Sequence, residues 1–437
     1  MTTTGADIIG TVLKQAGATH VFGIPGGEVL ALMQGLDAAG LRFVLVKHEN
    51  AGGFMAEGLW HMTGALPVLL ATLGPGVANA VNVVANAMQD RVPLVFLTGC
   101  VDAAEAKTYT HQVFDHQALL RPVVKGSFRL EAGSVSAVMA EAIALARSGQ
   151  PGPVHVDVPI GVAEGLATEL PLPPAPPVPP QSPDATALAA ALRALAAARR
   201  PLALAGVDAV NEGLGPLITA FCRDHAIPLI TTYKGKGLMD EADPLCLGGA
   251  GLSPRADAIL MPLMARADCM VLIGYDPIEM RIGWRDPWRA GQTVIDLVPA
   301  PRNHGMHRAQ HVLIGGLAES LTALRHAAPP RWPEGACACA RGAQIGLRRP
   351  RPMGPASGLR HVARSHAARH GDHGGQRRAP DPAQPDVGLP GAAADAAILG
   401  PVHHGLCRAA GRRGEDRAAT GPGSRLCRGC GAGNGRG

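Results

Sequence analysis

Short apolar runs alternate with amphipathic stretches through residues 1–165. The runs have the length and composition of strands buried on both faces of a sheet, and they are His20–Ile24, Leu41–Val46, Leu66–Ala71, Leu94–Thr98 and Val154–Val158. Between them, apolar residues recur at helical spacing over Ala6–Ala16, Ala51–Met62 and Val77–Met88. Strands that alternate with helices predict an α/β fold, with a parallel sheet covered by helices on both faces.

Residues 184–330 repeat this alternation. Helical spacing covers Ala185–Ala198 and Leu217–His225, and strand-like runs lie at Leu202–Ala205, Pro228–Thr231, Met270–Ile273 and Thr293–Leu297. Between the two halves, Leu170–Pro183 contains eight prolines, which favour an extended, semi-rigid spacer. We therefore predict two doubly wound parallel-sheet domains, at residues 1–168 and 184–332, joined by a proline-rich linker at residues 169–183.

The pattern stops near residue 335 of the 437, and the composition changes with it. Residues 336–437 hold 16 Arg, no Lys, only 6 acidic residues and no Phe, Tyr or Trp. Such a segment buries too little apolar surface to offset the entropy that ordering costs. We predict a largely disordered tail, whose arginines account for the net charge of +5 because residues 1–335 are net acidic.

Several classes of protein are disfavoured by composition. No uncharged apolar run reaches about 18 residues and no basic segment precedes an apolar core at the N-terminus, so we predict neither a membrane span nor a secretory signal. A cytoplasmic protein with reduced thiols is the expectation. In the tail, Cys427 and Cys430 form a lone C-x-x-C without a folded context, so no metal site is predicted. Nucleic-acid binding by the arginines of the tail is also disfavoured, because the tail lacks the aromatic residues on which bases stack.

Three clusters of chemically interesting residues follow predicted strands. They are Ile24-Pro25-Gly26-Gly27, Lys47-His48-Glu49-Asn50 and Thr72-Leu73-Gly74-Pro75-Gly76-Val77-Ala78-Asn79. The carboxyl ends of parallel strands are where ligands bind, and glycines allow a ligand to approach the backbone closely. Glu49, between an apolar strand and a helix, would be partly removed from water and suited to hold or share a proton. Taken singly, each cluster also fits a simpler role as a plain turn or as a Glu at a helix N-terminus.

The order and spacing of these clusters resemble the pyrimidine-binding domain of thiamine-diphosphate-dependent enzymes, in the acetolactate synthase and benzoylformate decarboxylase branch. Further matching segments are Asp90–Leu94, Gln112–Asp115, Lys125, Gly152–Pro159, Ile227–Thr232 and Lys234–Gly237. The resemblance covers about residues 1–330, including a central domain of that family. It implies thiamine diphosphate and Mg²⁺ as cofactors, a small-molecule 2-oxo acid as substrate, and a homodimer or homotetramer. It implies neither nucleic acid nor membrane as a partner.

The resemblance also assigns roles residue by residue. Glu49 stands where a catalytic Glu contacts N1′ of the aminopyrimidine and shifts that ring to its imino tautomer. In the family, the 4′-imine then removes the C2 proton of the thiazolium, which attacks the 2-oxo acid and accepts the electrons released by decarboxylation. The cofactor-binding positions are Ile24, Pro25, Gly26, Thr72, Gly74, Pro75, Gly76 and Asn79. Gln112 matches a substrate-side, catalytic Gln, and His111 stands where the synthases carry an aromatic residue. Tyr275-Asp276-Pro277 replaces the Arg-Phe-Asp of flavin-binding synthases, so FAD is not predicted.

The family's Mg²⁺ and diphosphate motif, Gly-Asp-Gly, is missing from the whole sequence. Read one nucleotide forward, the codons of residues 422–435 permit PVVAFVGDAGLEM, an apolar strand followed by Gly-Asp, and those of residues 372–388 also permit apolar text. Our hypothesis is that the chain after about residue 335 is out of frame and that this form is inactive. Two alternatives stay open: a 2-oxo acid decarboxylase of the benzoylformate type and a non-catalytic oligomerising fragment.

Overall fold

The computed structural model describes residues 3–173, 180–302, 304–326 and 332. The predicted tail, with Cys427 and Cys430, lies outside these residues, as does the middle of the predicted linker. The predicted domain limits therefore stay predictions. The described residues form two sheets and the helices around them.

The first sheet has six parallel strands in the order β2-β1-β3-β4-β6-β5. Its strands are β1 His20–Gly23, β2 Arg42–Leu45, β3 Val68–Ala71, β4 Val95–Cys100, β5 Gly126–Arg129 and β6 Val154–Pro159. Its helices are α1 Gly5–Gln15, α2 Leu30–Ala38, α3 Glu49–Thr63, α4 Pro75–Gln89, α5 His116–Leu120, α6 Val135–Arg147 and α7 Ile160–Glu164. Short 3₁₀ turns lie at Gly27–Val29, Glu105–Lys107 and Arg121–Val123.

Helices cover both faces of this sheet, as predicted. Alternate residues of β3 face opposite cores: Val68 and Leu70 pack in one, Leu69 and Ala71 in the other. The first core is shared with α1, α2, α6 and α7, and the second with α3 and α4. Because β3 and its neighbours are buried on both faces, they read in the sequence as continuous apolar runs.

Local chemistry sets where the helices around the candidate site begin and end. Helix α3 begins at Glu49, two residues before its predicted start, because the His48 side chain caps it by accepting a hydrogen bond from the Asn50 N–H at 3.2 Å. The helix ends at Thr63 and is followed by Gly64, which caps it with a left-handed φ of 72°. Helix α4 begins directly after Gly74 with Pro75 in its first turn. Backbone N–H groups in the first turn have no partner within the helix, so the missing N–H of proline costs no hydrogen bond there.

The second sheet also has six parallel strands, in the order β12-β11-β10-β7-β8-β9. Its strands are β7 Pro201–Ala205, β8 Leu229–Thr232, β9 Cys246–Ala250, β10 Cys269–Ile273, β11 Thr293–Val298 and β12 His311–Ile314. Its helices are α8 Ala185–Ala197, α9 Val207–Asn211, α10 Gly215–His225, α11 Pro254–Met264 and α12 Leu317–Arg325, with 3₁₀ turns at Pro277–Glu279 and Ile282–Trp284. One apolar core unites this half.

A buried charge cluster joins the two sheets. Arg91, which precedes β4, contacts Asp208 of α9 with its Nε 3.4 Å from Oδ1, and it also pairs with Asp276. Arg302 and Gln150 bind the second Asp208 oxygen at 2.5 and 3.0 Å. Burial raises the pKa of Asp208, although Arg302 and Arg91 act to lower it. Removing one partner would leave an uncompensated buried charge.

The strand order places the candidate residues together. In the first sheet the chain moves outward from β1 to β2 on one side and to β3 on the other. At such a reversal point the loops after the strands diverge and leave a crevice at the carboxyl edge. The three predicted clusters are the segments that follow β1, β2 and β3, so the fold brings all three to this crevice.

Candidate functional site

Thr72, the residue after β3, is the point where the loop after β1 meets the loop after β3. A Cβ built on Gly26 would stand 2.8 Å from Thr72 Oγ1, and one built on Gly76 would stand 3.3 Å from Thr72 Cγ2. Any side chain at Gly26 would therefore require movement, so glycine is needed for the approach of the loop after β1. Ile24, two residues before Gly26, is half-buried against an apolar cluster, whereas Pro25 is exposed.

Glu49 is the buried carboxylate of the site. It is only 4% exposed, and its Oε2 accepts a hydrogen bond from Asn79 Nδ2 at 3.0 Å. Its Oε1 lies 3.3 Å from the position that a Cβ on Gly76 would take. Helix α3 thus presents Glu49 from its first turn, helix α4 supplies Asn79 to orient it, and the missing side chain of Gly76 leaves room beside it.

The Gly-Pro-Gly loop lies against the segment that carries Gln112. Gly74 has φ +63°, and a Cβ there would be 2.1 Å from the Gln112 carbonyl oxygen. Gln112 itself has φ +58° and an exposed side chain, and exposed His111 meets Tyr109 edge-on at 6.2 Å between ring centroids. The structure therefore brings the predicted substrate-side pair next to the predicted cofactor loop through a backbone contact at Gly74.

Glu28 is a second carboxylate at this place, and the sequence pattern did not predict it. Thr72 Oγ1 donates a hydrogen bond to Glu28 Oε2 at 2.7 Å, and the same oxygen lies 3.2 Å from the position that a Cβ on Gly26 would take. Its only local signal was that it follows the Gly-Gly turn. The partner, Thr72, lies 44 positions further along the chain, which no local pattern indicates.

His116 and Asp157 were not predicted either. His116 Nε2 lies 3.0 Å from the Gly74 nitrogen, and its Nδ1 lies 2.7 Å from Asp157 Oδ1. Thr98 Oγ1 donates to the same Asp157 oxygen at 2.7 Å. Although burial acts to raise it, hydrogen bonds from His116 and His155 hold the pKa of Asp157 well below its usual range. An Asp inside a largely apolar strand was the available signal, because a buried carboxylate needs partners.

The residues present fit the aminopyrimidine end of thiamine diphosphate. Glu49 offers one oxygen beside the space where Gly76 lacks a side chain, while Asn79 fixes the other oxygen. A carboxylate held in this way can exchange a proton with a ring nitrogen, and Gly76, which has no side chain, lets a flat ring approach the backbone beside it. For the diphosphate and Mg²⁺, the sequence holds no Gly-Asp-Gly motif.

Comparison with known proteins gives two family matches. Residues 3–119 match the thiamine pyrophosphate enzyme N-terminal TPP binding domain, and residues 188–324 match the central domain of thiamine pyrophosphate enzymes. These matches include the three clusters at the crevice and all six strands of the second sheet. Among the described residues, no helix has both the length and the apolar character that crossing a bilayer requires.

Individual relatives agree with these matches. The chain is 31% identical over 337 residues to an acetolactate synthase of Mycobacterium bovis, covering 74% of this chain and 54% of the relative. It is 30% identical over 346 residues to the acetolactate synthase large subunit of Parasynechococcus marenigrum (76% and 56%). It is 31% identical over 354 residues to the "Probable 2-ketoarginine decarboxylase AruI" of Pseudomonas aeruginosa (79% and 61%). The chain thus spans little more than half the length of these relatives.

Proposed function

This chain belongs to the thiamine pyrophosphate enzyme family, and on that premise we propose that its first sheet holds the aminopyrimidine of thiamine diphosphate for the conversion of 2-oxo acids. The observation that carries the proposal is the buried Glu49 carboxylate, oriented by Asn79 at 3.0 Å and facing the space beside Gly76. When bound, the cofactor supplies an electron-accepting ring for cleavage next to a carbonyl.

The roles of the chain's own residues are inferred from their positions. Glu49 would hold a proton at the pyrimidine nitrogen, and Asn79 would keep that carboxylate in place. Gly76 would leave room for the ring beside Glu49. The surrounding loops would be formed by Ile24, Pro25, Gly26, Thr72, Gly74 and Pro75. Gln112 would face the 2-oxo acid, and His111 would border it.

Acyl transfer with decarboxylation, as in acetolactate synthases, is the reaction that we favour. It is supported by relatives that carry this name and match three quarters of the chain. Simple decarboxylation of a 2-oxo acid is the second candidate. It is supported by the 2-ketoarginine decarboxylase relative, which matches 79% of the chain, and by His111 at a position where an aromatic residue was expected.

We also propose that the chain as written binds the cofactor weakly. Charge-assisted contacts to diphosphate and Mg²⁺ supply much of the affinity for such a group, and the sequence lacks the motif that would make them. An out-of-frame segment after about residue 335 explains that gap together with the change in composition. A chain with the shifted frame restored, the restored-frame chain, would regain the Gly-Asp motif.

Assembly and location are proposed on the same basis. A homodimer or homotetramer follows from the family, in which the active site lies between two subunits. The cytoplasm is proposed because Cys100, Cys222 and Cys269 are free thiols buried in the two halves. Burial raises the pKa of Cys100 and of Cys269 to about 12, so neither thiol forms the reactive thiolate readily.

Calorimetric titration with thiamine diphosphate and Mg²⁺ tests the proposal, using this chain and the restored-frame chain. In the restored-frame chain, Glu49→Gln is expected to weaken binding of thiamine diphosphate about tenfold or more, because an amide cannot exchange the proton. Glu57→Gln is the matched control: Glu57 lies on the same helix and is buried, and it accepts a hydrogen bond at 3.0 Å from Asn86, as Glu49 does from Asn79. Binding by the restored-frame chain alone would support both proposals. Equal losses in the two variants, or no binding by either chain, would contradict the cofactor site.

A further inference from the structure

A buried chain of hydrogen bonds connects strand β6 to the Gly-Pro-Gly loop. Asp157 of β6 and His116 of α5 are 4% and 5% exposed, and their side chains meet at 2.7 Å. On its other side the imidazole lies 3.0 Å from the Gly74 backbone nitrogen. The three residues come from separate segments, so this connection exists only in the folded chain.

The geometry fixes where the proton of His116 resides. Gly74 donates its N–H, so Nε2 of His116 must be an unprotonated acceptor. The proton therefore resides on Nδ1, which donates it to the Asp157 carboxylate. Thr98 donates to the same carboxylate oxygen, so the oxygen that orients the imidazole is itself held in place. Asp157 therefore fixes both the orientation and the tautomer of the His116 imidazole.

The surroundings of the loop explain why it needs such a support. Leu73 of the loop lines a cavity of about 320 Å³, together with Phe114, His116 and Asp157 among others. The Gln112 carbonyl occupies the space where a side chain on Gly74 would stand. A loop that borders a cavity is held by its hydrogen bonds, and the Gly74 N–H has its partner in His116.

We propose that His116 is a positioning residue, which holds the Gly74 amide through an acceptor oriented by Asp157 and thereby sets the Gly-Pro-Gly loop between Glu49 and Gln112. The effect on cofactor binding rests on the proposed function, because the loop matters for binding only if the pyrimidine binds there. The effect on the loop itself does not depend on that function. Loss of the acceptor frees the Gly74 amide whether or not a cofactor is present.

Two substitutions separate the two hydrogen bonds of the imidazole. His116→Gln places an amide oxygen near the position of Nε2, so it keeps the acceptor for Gly74 and loses the bond to Asp157. His116→Asn places an amide nitrogen near Nδ1, so it keeps the bond to Asp157 and loses the acceptor. A merely structural need for a buried polar group would not distinguish the two variants in this direction.

The first measurement is hydrogen–deuterium exchange of the Gly74 amide in this chain without cofactor, with thermal unfolding to check that each variant folds. We expect exchange about tenfold faster in His116→Asn and near the unsubstituted rate in His116→Gln. The second measurement is titration of the restored-frame chain with thiamine diphosphate and Mg²⁺. We expect about tenfold weaker binding in His116→Asn and rescue in His116→Gln.

The outcomes distinguish this inference from the proposed function. Unchanged exchange in His116→Asn, or equal acceleration in both variants, overturns the positioning role. Failure of the unsubstituted restored-frame chain to bind overturns the proposed function, while the exchange comparison still decides whether His116 holds the loop. Altered exchange with unaltered binding would show that the loop position does not govern cofactor affinity, which also contradicts the inference.

Discussion

Two of the three glycines in helix α3, Gly53 and Gly58, have different surroundings, so alanine is expected to affect stability differently at each. A Cβ on Gly53 would stand 2.3 Å from Val83 Cγ1 and 2.7 Å from Val83 Cγ2, on the facing helix α4. A Cβ on Gly58, further along α3, would meet nothing within 4 Å. The pair therefore compares the same substitution in the same helix with and without a steric clash.

The magnitudes come from two separate contributions. Replacing an interior helical glycine with alanine stabilises the helix by about 1 kcal/mol. Gly58→Ala is expected to show that gain alone. Gly53→Ala adds an overpacking cost of about 1–3 kcal/mol, because Val83 is fully buried and cannot turn away freely. The free energy of unfolding should therefore be about 1–3 kcal/mol lower in Gly53→Ala than in Gly58→Ala.

Denaturant unfolding of both variants measures this difference, and the double variant Gly53→Ala/Val83→Ala tests its cause. Val83→Ala should cost less in the Gly53→Ala background than alone, since the new methyl fills part of the space that it vacates. The close approach also sets the Glu49–Asn79 hydrogen bond between the same helices, so Gly53→Ala should weaken cofactor binding. Equal stabilisation by both single variants would refute the claim that close packing of α3 on α4 requires Gly53.

Two further predictions concern buried charges. Asp157→Asn should lower the free energy of unfolding at pH 7 by roughly 2 kcal/mol, since hydrogen bonds to a charged group are lost. In the folded protein the pKa of Asp157 lies below its unfolded value of about 3.9, so the carboxylate contributes stability above that pH. The difference in unfolding free energy between Asp157→Asn and the unsubstituted chain should therefore stay constant from pH 7 to 5. It should shrink below about pH 4, as unfolding titrations at each pH would measure. Arg91→Met should destabilise the protein by about 3 kcal/mol by leaving Asp208 and Asp276 less compensated. Arg325→Met, which breaks an exposed pair with Asp224, should cost less than about 1 kcal/mol, and similar losses in the two variants would contradict the buried role of Arg91.

The strands that the sequence did not predict all lie at sheet edges, although the edge strand β2 was predicted. The predicted central strands, such as β3 and β10, are buried on both faces and read as apolar runs. The strands missed by pattern are β5, β9 and β12, and each is an edge strand. Edge strands pair on one side only, so they tolerate the polar or glycine-rich sequences Gly126–Arg129 and Cys246–Ala250, which carry no clear period.

The sequence by itself determined the α/β class, the order of most buried elements and the three clusters at strand ends, because these depend on contacts between near neighbours. It also placed Glu49 between a strand and a helix, where the local pattern of an apolar strand followed by small residues is sufficient. Only the tertiary structure decided the partners of these residues. Thr72 meets Glu28 across 44 positions, Gly74 meets His116 across 42, and Asn79 meets Glu49 across 30. Such pairings depend on the strand order β2-β1-β3-β4-β6-β5, and no local periodicity specifies which strands become neighbours.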